Sequence, residues 1–145
     1  MNGVNIKIFL ISQKLQFINS FLTQNIYNFI KNLKDILMEK FIQNLKLAGG
    51  EVLDTIPNDW YQAKAKFGVA ENGSVFVSDY TKELFLSENV VITLDKNEIY
   101  EKMTDVMEKV EDGVFISGPS KTADVESFLV LGAHGPMKLG IYLKG

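Results

Sequence analysis

The main fold prediction rests on residues 90–117, which read VVITLDKNEIYEKMTDVMEKVEDGVFIS. The stretch opens with one continuous apolar run, VVITL, and closes with another, GVFIS, and such runs are typical of buried strands. Between them, residues 97–110 place apolar side chains on one helical face: Ile99, Met103, Val106, Met107 and Val110. Strand, helix and strand in this order predict a right-handed parallel unit, and therefore an α/β fold with a mostly parallel sheet flanked by helices.

Further strand signals lie on both sides of this unit. EVLDTI (51–56) reads as a short strand ended by Pro57. FGVAENGSVFVSD (67–79) holds two β-rich runs around Asn72-Gly73, the strongest short-range hairpin signal. SFLVLGAHGP (127–136) predicts a short strand that enters a turn, and LGIYLK (139–144) predicts a last strand.

The first 48 residues predict a helix. Apolar residues recur at spacings of three and four: Ile11, Leu15, Ile18, Leu22, Ile26, Phe29, Leu33 and Ile36. The pattern continues to Leu47 and stops at Gly49-Gly50, so we expect a helix that ends near Ala48 and a long helix that begins near Ser12. Residues 1–37 are interpreted as an N-terminal helical arm and residues 38–145 as the domain.

Three interpretations of the arm stay open at this point. The arm is a helix for a partner or a membrane surface, a helix packed on the domain, or upstream sequence translated before a natural start at Met38. The third follows from its composition, because Asn, Ile, Lys, Phe and Tyr are the residues that an AT-rich region encodes by chance.

Composition excludes several function classes. Hydrophobic residues make up 46% and charged residues 23%, as in a soluble globular protein, and the net charge of −3 does not indicate a nucleic-acid surface. The chain has no cysteine, hence no disulfide, no thiolate nucleophile and no ligand for an iron–sulfur cluster. A single histidine does not make a zinc site, so no metal site is predicted. No transmembrane segment or secretory signal is evident, which predicts a cytoplasmic protein.

The segment SGPSKTADVE (117–126) leaves two interpretations open. A buried strand that leads through Gly118-Pro119 into a helix leaves free backbone N–H groups, and these bind anions. Ser120 and Thr122 are suitable caps, and Lys121 adds a positive charge. The other interpretation is a plain strand-to-helix corner, since Asp124 and Glu126 in the first helical turn would themselves satisfy the helix dipole.

The segment LGAHGP (131–136) carries the only histidine. His134 stands between glycines in a sharp turn, as either a structural residue or a proton donor. Ligands bind outside the carboxyl ends of parallel strands. If both segments lie there, His134, Lys121 and Asp124 form a compact polar site. Glu71 in VAENGS is a third candidate, with a water-facing hairpin residue as the alternative.

Three segments together resemble a known family. AKFGVAENGSVFV (65–77), FISGPSKTADVE (115–126) and LVLGAHGPMKLGIYL (129–143) are similar to the LUD domain of the lactate utilization protein C family. That family's pattern runs A-x-x-x-I-A-E-T-G-T, then I-T/S-G-P-S-x-T-A-D-I-E, then G-x-H-G-P before a last strand. Order and spacing agree from about residue 65 to the C-terminus.

The resemblance implies a fold, a role and a set of site residues. The fold is akin to the sugar-phosphate isomerase and CoA-transferase group, and the role is in oxidising L-lactate to pyruvate beside separate iron–sulfur subunits. His134, Lys121 and Asp124 are carried over as catalytic candidates. The ligand-binding candidates are Glu71, Gly118, Pro119, Ser120, Lys121, Thr122, Glu126, Gly135 and Pro136.

Three features depart from the family pattern. ENGS replaces E-T-G-T, and the arm has no counterpart. The stretch between Leu53 and Phe67 is short, so a strand or helix that larger family members have is expected to be missing. The changed turn and the short stretch leave open a reduced relative that keeps the fold without activity.

Two functions of different classes therefore remain as expectations. The first is a non-redox accessory subunit of an iron–sulfur system that oxidises L-lactate to pyruvate, with no cofactor in this chain and clusters only on partner subunits. The alternative is a free-standing protein or enzyme that binds a small anion, such as a sugar phosphate, a carboxylate or a CoA-type group, through SGPSKTADVE.

Overall fold

A computed structural model describes residues 3–119 and 135–145. The chain divides into two compact units, Met1–Asp35 and Ile36–Gly145. The first helix, α1, spans Gly3–Leu47, so it begins well before the expected start near Ser12. Its end agrees with the sequence: Gly49 has a φ of 98°, and the N–H of Gly50 donates to the carbonyl of Leu45 over 2.9 Å. This glycine-terminated end satisfies carbonyl groups that the helix leaves free.

In its described residues, the second unit holds eight strands in two four-stranded sheets. The strands are β1 (Glu51–Leu53), β2 (Tyr61–Lys64), β3 (Phe67–Val69), β4 (Ser74–Val77), β5 (Asn89–Asp95), β6 (Ile99–Tyr100), β7 (Val114–Ile116) and β8 (Lys138–Lys144). Sheet A has the order β1-β8-β5-β2 and is parallel throughout. Sheet B has the order β6-β3-β4-β7, with β3 parallel to β6 and both other pairs antiparallel. A short helix, α2 (Glu83–Leu86), precedes β5.

Several sequence predictions are confirmed. The structure has the predicted α/β class, with sheet A parallel throughout. The predicted hairpin forms around Asn72-Gly73 and pairs Phe67 with Phe76. Strands also form at VVITL, GVFIS and LGIYLK. The strand predicted from SFLVLG lies outside the described residues.

The predicted parallel unit over residues 90–117 is wrong. β5 lies in sheet A, whereas β7 lies in sheet B and runs antiparallel to β4. Residues 97–110 form no α-helix but strand β6 and three single 3₁₀ turns, Lys96–Glu98, Met103–Asp105 and Met107–Lys109. The carbonyls of Tyr100 and Glu101 accept the N–H groups of Ala70 and Glu71, so they are not available to a helix.

Strand β2 lies in the short stretch between Leu53 and Phe67. Its side chains alternate, with Tyr61 and Ala63 half-buried and Gln62 and Lys64 exposed. The chain then passes from sheet A to sheet B within two residues. The N–H of Ala65 donates to Thr93 in sheet A over 2.9 Å, and the N–H of Lys66 donates to Phe76 in sheet B over 2.8 Å.

Two apolar clusters hold the second unit together. The larger one packs the end of α1 against both sheets and includes Phe41, Leu45, Ile92, Leu94 and Ile141, all fully buried. The smaller cluster is built around stacked aromatic rings of sheet B and includes Phe67 and Phe76.

In the smaller cluster, Phe67 and Phe76 stack with ring centroids 5.1 Å apart. Phe115 contacts Phe76 at 5.0 Å, and Tyr100 meets the edge of Phe67 at 6.1 Å. Offset and edge-to-face pairs of this kind add about 0.5–1.5 kcal/mol each beyond area burial. The cluster therefore fixes β3, β4, β6 and β7 relative to one another.

Candidate functional site

The structure describes five of the predicted site residues. They are Glu71, Gly118, Pro119, Gly135 and Pro136. The remaining candidates, Ser120, Lys121, Thr122, Asp124, Glu126 and His134, lie outside the described residues, so their roles stay predictions.

The ENGS turn between β3 and β4 is shaped by its own side chains. The Asn72 carboxamide oxygen accepts the N–H of Ser74 over 3.0 Å and its hydroxyl over 2.6 Å. Gly73 follows with a φ of 67°, a conformation that residues with a β-carbon rarely adopt. Asn-Gly at the tip therefore determines the turn locally.

The Glu71 side chain is exposed and engaged with the backbone. Its Oε2 accepts the N–H of Met103 over 2.9 Å, which satisfies a donor at the start of a 3₁₀ turn. The backbone N–H of Glu71 donates to the carbonyl of Glu101 over 2.9 Å. In this arrangement one carboxylate oxygen has a structural contact, and binding of a ligand by Glu71 stays a prediction.

The SGP corner, Ser117 to Pro119, follows β7 and lies against the ENGS turn. The Ser117 hydroxyl donates to the carbonyl of Asn72 over 3.4 Å. Gly118 has a φ of 76°, and a β-carbon added there would collide with the carbonyl oxygen of Ala48. Only glycine fits this approach of the corner to the end of α1.

A residue that the sequence reasoning missed connects these parts. The Nδ2 of Asn44 donates to the carbonyl of Ala70 over 2.7 Å and to that of Glu71 over 3.2 Å. Asn44 lies next to buried Leu45 and three residues after buried Phe41. The sequence did offer a signal for Asn44: it is a polar residue on the face of the helix that carries the buried side chains. A buried polar group needs hydrogen-bond partners.

Gly135 and Pro136 come immediately before β8. Pro136 is buried, and the N–H groups of Met137 and Lys138 both donate to the carbonyl of Glu88, over 2.8 and 2.9 Å. The register pairs Glu51 with Gly140, so Pro136 lies at the edge of sheet A where its strands begin. We call this the amino edge of sheet A.

The ENGS turn and the SGP corner lie against each other and against the end of α1, and Gly135-Pro136 lies where β8 begins. Ala48, which Gly118 contacts, stands just before β1 at the amino edge. The sequence predicts both loops at the carboxyl ends of parallel strands. For the SGP corner this is wrong, because β7, which it follows, runs antiparallel to β4. The strand predicted before GAHGP lies outside the described residues, so that part stays a prediction.

A second feature lies at the carboxyl ends of β2 and β5. It is a cleft of about 590 Å³, and its polar lining is Gln62, Lys64, Lys66, Ser78, Asp79 and Thr93. Lys64 and Thr93 are register partners at the strand ends. Lys66 forms an ion pair with Glu111, so one of the two ammonium groups is already neutralised.

Comparison with known proteins identifies the family. Residues 55–143 match the family described as LUD domain, a range that includes the hairpin turn, the SGP corner and Gly135-Pro136. The chain belongs to the LUD-domain family. The match begins after α1, so the arm lies outside the matched residues.

Among relatives of this LUD-domain chain are two proteins named Lactate utilization protein C. The one from Geobacillus thermodenitrificans (strain NG80-2) is 32% identical over 91 residues, which cover 52% of this chain and 38% of that protein. The one from Bacillus pumilus (strain SAFR-032) is 28% identical over 116 residues, 70% of this chain and 45% of that protein. The chain thus spans about two fifths of the length of these curated relatives.

Another relative and a solved structure extend the comparison. The "Uncharacterized protein YkgG" of Escherichia coli (strain K12) is 31% identical over 94 residues, 54% of this chain and 40% of that protein. The crystal structure of a DUF162 family protein from Deinococcus radiodurans superposes with a TM-score of 0.57 at 11% identity. That match covers 77% of this chain and 98% of the other, and at this identity it establishes the fold alone.

Two further findings concern residues 3–119 and 135–145. Within these ranges the chain has no helix with the length and apolar character needed to cross a membrane. Within the same ranges, no cluster of three or more His, Asp or Glu side chains could hold a metal ion.

Proposed function

We propose that this LUD-domain chain acts in lactate utilization, as a non-redox accessory subunit of an iron–sulfur system that oxidises L-lactate to pyruvate. The observation that carries the proposal is the 32% and 28% identity to two proteins named Lactate utilization protein C. The LUD-domain match extends over the ENGS turn and the SGP corner, which are parts that the family pattern emphasises.

The accessory role follows from the chemistry of the reaction. Oxidising L-lactate to pyruvate removes two electrons and two protons, and a redox group must accept the electrons. Iron–sulfur clusters are held mainly by cysteine thiolates, and this chain has no cysteine. The proposal therefore assigns the clusters to partner subunits and gives this chain a role in binding or assembly.

An affinity purification without oxygen tests the proposal. The tagged full chain is isolated from cells that make it, and the eluate is assayed for iron and for lactate-dependent dye reduction. We expect both to arrive with this chain, because the chain alone supplies neither. An iron-free eluate without lactate-dependent activity contradicts the accessory role.

The cleft at the carboxyl ends of β2 and β5 favours a second candidate function. In parallel sheets, ligands bind at these strand ends, and the cleft offers the ammonium group of Lys64 with the hydroxyls of Ser78 and Thr93. This arrangement supports a free-standing protein or enzyme that binds a small carboxylate or phosphate.

Titration calorimetry with lactate, pyruvate and inorganic phosphate tests the second candidate. We expect Lys64→Gln to weaken binding about tenfold, as loss of one charge-assisted hydrogen bond would. The matched control is Lys82→Gln, at an exposed lysine that does not line the cleft. If Lys121→Ala and His134→Ala weaken binding and Lys64→Gln does not, the ligand belongs to the SGPSKTADVE loop instead.

A further inference from the structure

The arm carries a heptad pattern of mainly apolar residues, which lies outside the residues matched to the LUD domain. From Val4 to Ile36, the positions 4, 8, 11, 15, 18, 22, 25, 29, 32 and 36 alternate in spacing between four and three. Eight of them are apolar: Val4, Ile8, Ile11, Leu15, Ile18, Leu22, Phe29 and Ile36. The other two are Asn25 and Asn32. Apolar a and d positions sustained over three to four heptads are typical of a coiled coil.

These eight side chains form one exposed stripe along α1, which we call the seam. Their exposed fractions lie between 49% for Ile18 and 64% for Val4 and Phe29. A helix that repeats its apolar residues every 3.5 positions matches the geometry of another helix, because supercoiling keeps such a stripe facing its partner. The seam spans about 50 Å, at 1.5 Å per residue.

The size of the surface suits a stable interface. With the seam residues at a and d, the flanking e and g positions bring the surface to about twenty residues per helix, near the 20–30 per side of a standard interface. Helices in proteins gain most of their stability from packing of an apolar face. The seam is exposed, so we expect another helix to pack on it.

The flanking residues favour another copy of the chain as the source of that helix. In a parallel coiled coil, a g residue faces the e residue five positions further along the other helix. Here Lys7 faces Ser12 and Lys14 faces Asn19, so no like charges meet.

The other flanking positions agree with the same register. Asp35 faces Lys40, an attractive pair, and Lys40 is exposed. Asn25 and Asn32, both at d positions, each meet their own counterpart in this register, so their amides face each other rather than apolar side chains.

We infer that the seam binds further copies of this chain in a parallel, in-register coiled coil. Leu15 and Leu22 occupy a positions, and Ile11 and Ile18 occupy d positions, the combination that favours more than two strands. The association is independent of the lactate proposal, because it needs only the arm.

Sedimentation equilibrium of the purified full chain measures the association directly. We expect a mass of at least twice the 16.3 kDa of one chain at micromolar concentration. Ile18→Glu places a charge in the seam and should reduce the mass to that of one chain.

The matched control is Phe17→Glu. Phe17 is the neighbouring residue, 73% exposed, and lies off the seam, so this variant should keep the wild-type mass. A monomeric wild type, or equal loss of mass in both variants, overturns the inference. A monomer that binds vesicles of anionic lipid through the arm overturns it in favour of a membrane-surface helix.

Single-cysteine variants test orientation and register, since the natural chain has no cysteine. Asn25→Cys should form a covalent dimer when diamide oxidises the two thiols, because in a parallel pair the two positions meet. Gln24→Cys, one residue away and off the seam, is the matched control and should stay uncrosslinked. In an antiparallel pair Asn25 would face the region of Leu15, so failure of Asn25→Cys to crosslink in an associated protein overturns the parallel arrangement.

Because the purified chain is tested without partner subunits, failure of this inference leaves the lactate proposal standing. An iron-free eluate in the affinity purification, in turn, leaves the coiled coil standing.

Discussion

The side-chain amide of Asn44 donates to the carbonyl oxygen of Ala70 over 2.7 Å, and this bond ties the last turn of α1 to the hairpin that carries Glu71. A second donation, to the carbonyl of Glu71, spans 3.2 Å. One side chain thus satisfies two backbone acceptors, so the position of the ENGS turn depends on a helix residue rather than on the turn alone.

Asn44→Ala should lower the free energy of unfolding by about 1–3 kcal/mol, because the partly buried carbonyl of Ala70 and the exposed carbonyl of Glu71 lose their common donor. Urea unfolding followed by circular dichroism measures the loss. Gln43→Ala, at the neighbouring exposed residue, is the control and should stay within about 0.5 kcal/mol of the wild type. Equal effects of the two variants would show that the Asn44 bonds contribute nothing beyond the helix itself.

Gly73→Ala should destabilise the protein by about 1–3 kcal/mol or more. The φ of 67° disfavours a β-carbon, and the added atom would also collide with the backbone N of Leu45. Thermal unfolding measures the change. Gly3→Ala is the control, since no atom lies within 4 Å of a β-carbon there, and it should leave the melting temperature of the second unit unchanged. A neutral Gly73→Ala would refute the close packing of turn and helix.

Glu71→Ala should cost about 0.5–1.5 kcal/mol of stability, because the N–H of Met103 loses its acceptor. Glu71→Gln keeps an acceptor oxygen and should recover most of that loss. If Glu71 also binds a ligand as a carboxylate, Glu71→Gln separates the two roles: binding falls while urea stability stays near the wild type. Equal stability of the Ala and Gln variants would contradict the capping role.

Phe76→Ala should cost about 3–5 kcal/mol, the range for removing a buried aromatic side chain. Phe76 is 1% exposed and contacts both Phe67 and Phe115. Chemical unfolding gives the value, and Met107→Ala, at a side chain 60% exposed, is the control expected to change little. A cost near that of the control would contradict the packing of the aromatic cluster.

Thr81→Val should raise the pKa of Glu83 toward its ordinary value. A hydrogen bond from the Thr81 side chain, followed by one from the backbone N–H of Glu83, lowers the pKa of this carboxyl in the folded protein. A lowered folded pKa means that the contribution to stability is present above the unfolded pKa and is lost as pH falls through the folded pKa. NMR titration of the Glu83 carboxyl measures the shift, and an unchanged pKa in the variant would rule out Thr81 as the cause.

The sequence predicted those elements whose signal is local. Asn72-Gly73 sets the hairpin because glycine supplies the positive φ and the asparagine side chain closes the turn, and both act within four residues. Gly49-Gly50 ends α1 for a similar reason. The sequence also indicated a turn at the SGP corner. It could not predict that this corner contacts Ala48.

The helix predicted over residues 97–110 failed because long-range pairing prevailed over periodicity. Ile99 and Tyr100 pair with β3, and this extended conformation interrupts the helical pattern near its start. Side chains then compete for the backbone, as when the Asp105 carboxylate accepts the N–H of Lys102 over 3.0 Å. The spacing of apolar residues carries no information about which strands pair over long range. For the same reason, the sequence prediction placed β7 in the same sheet as β5.

The junction at Ala65 and Lys66 has a consequence for how the domain opens. Consecutive peptide N–H groups are each bonded into a different sheet, so neither sheet can slide past the other without breaking one of these bonds. Local separation of the two sheets is therefore suppressed, and the two layers should open as one cooperative unit. Amide exchange at Ala65 and Lys66 would then report the same opening event, one amide from each sheet.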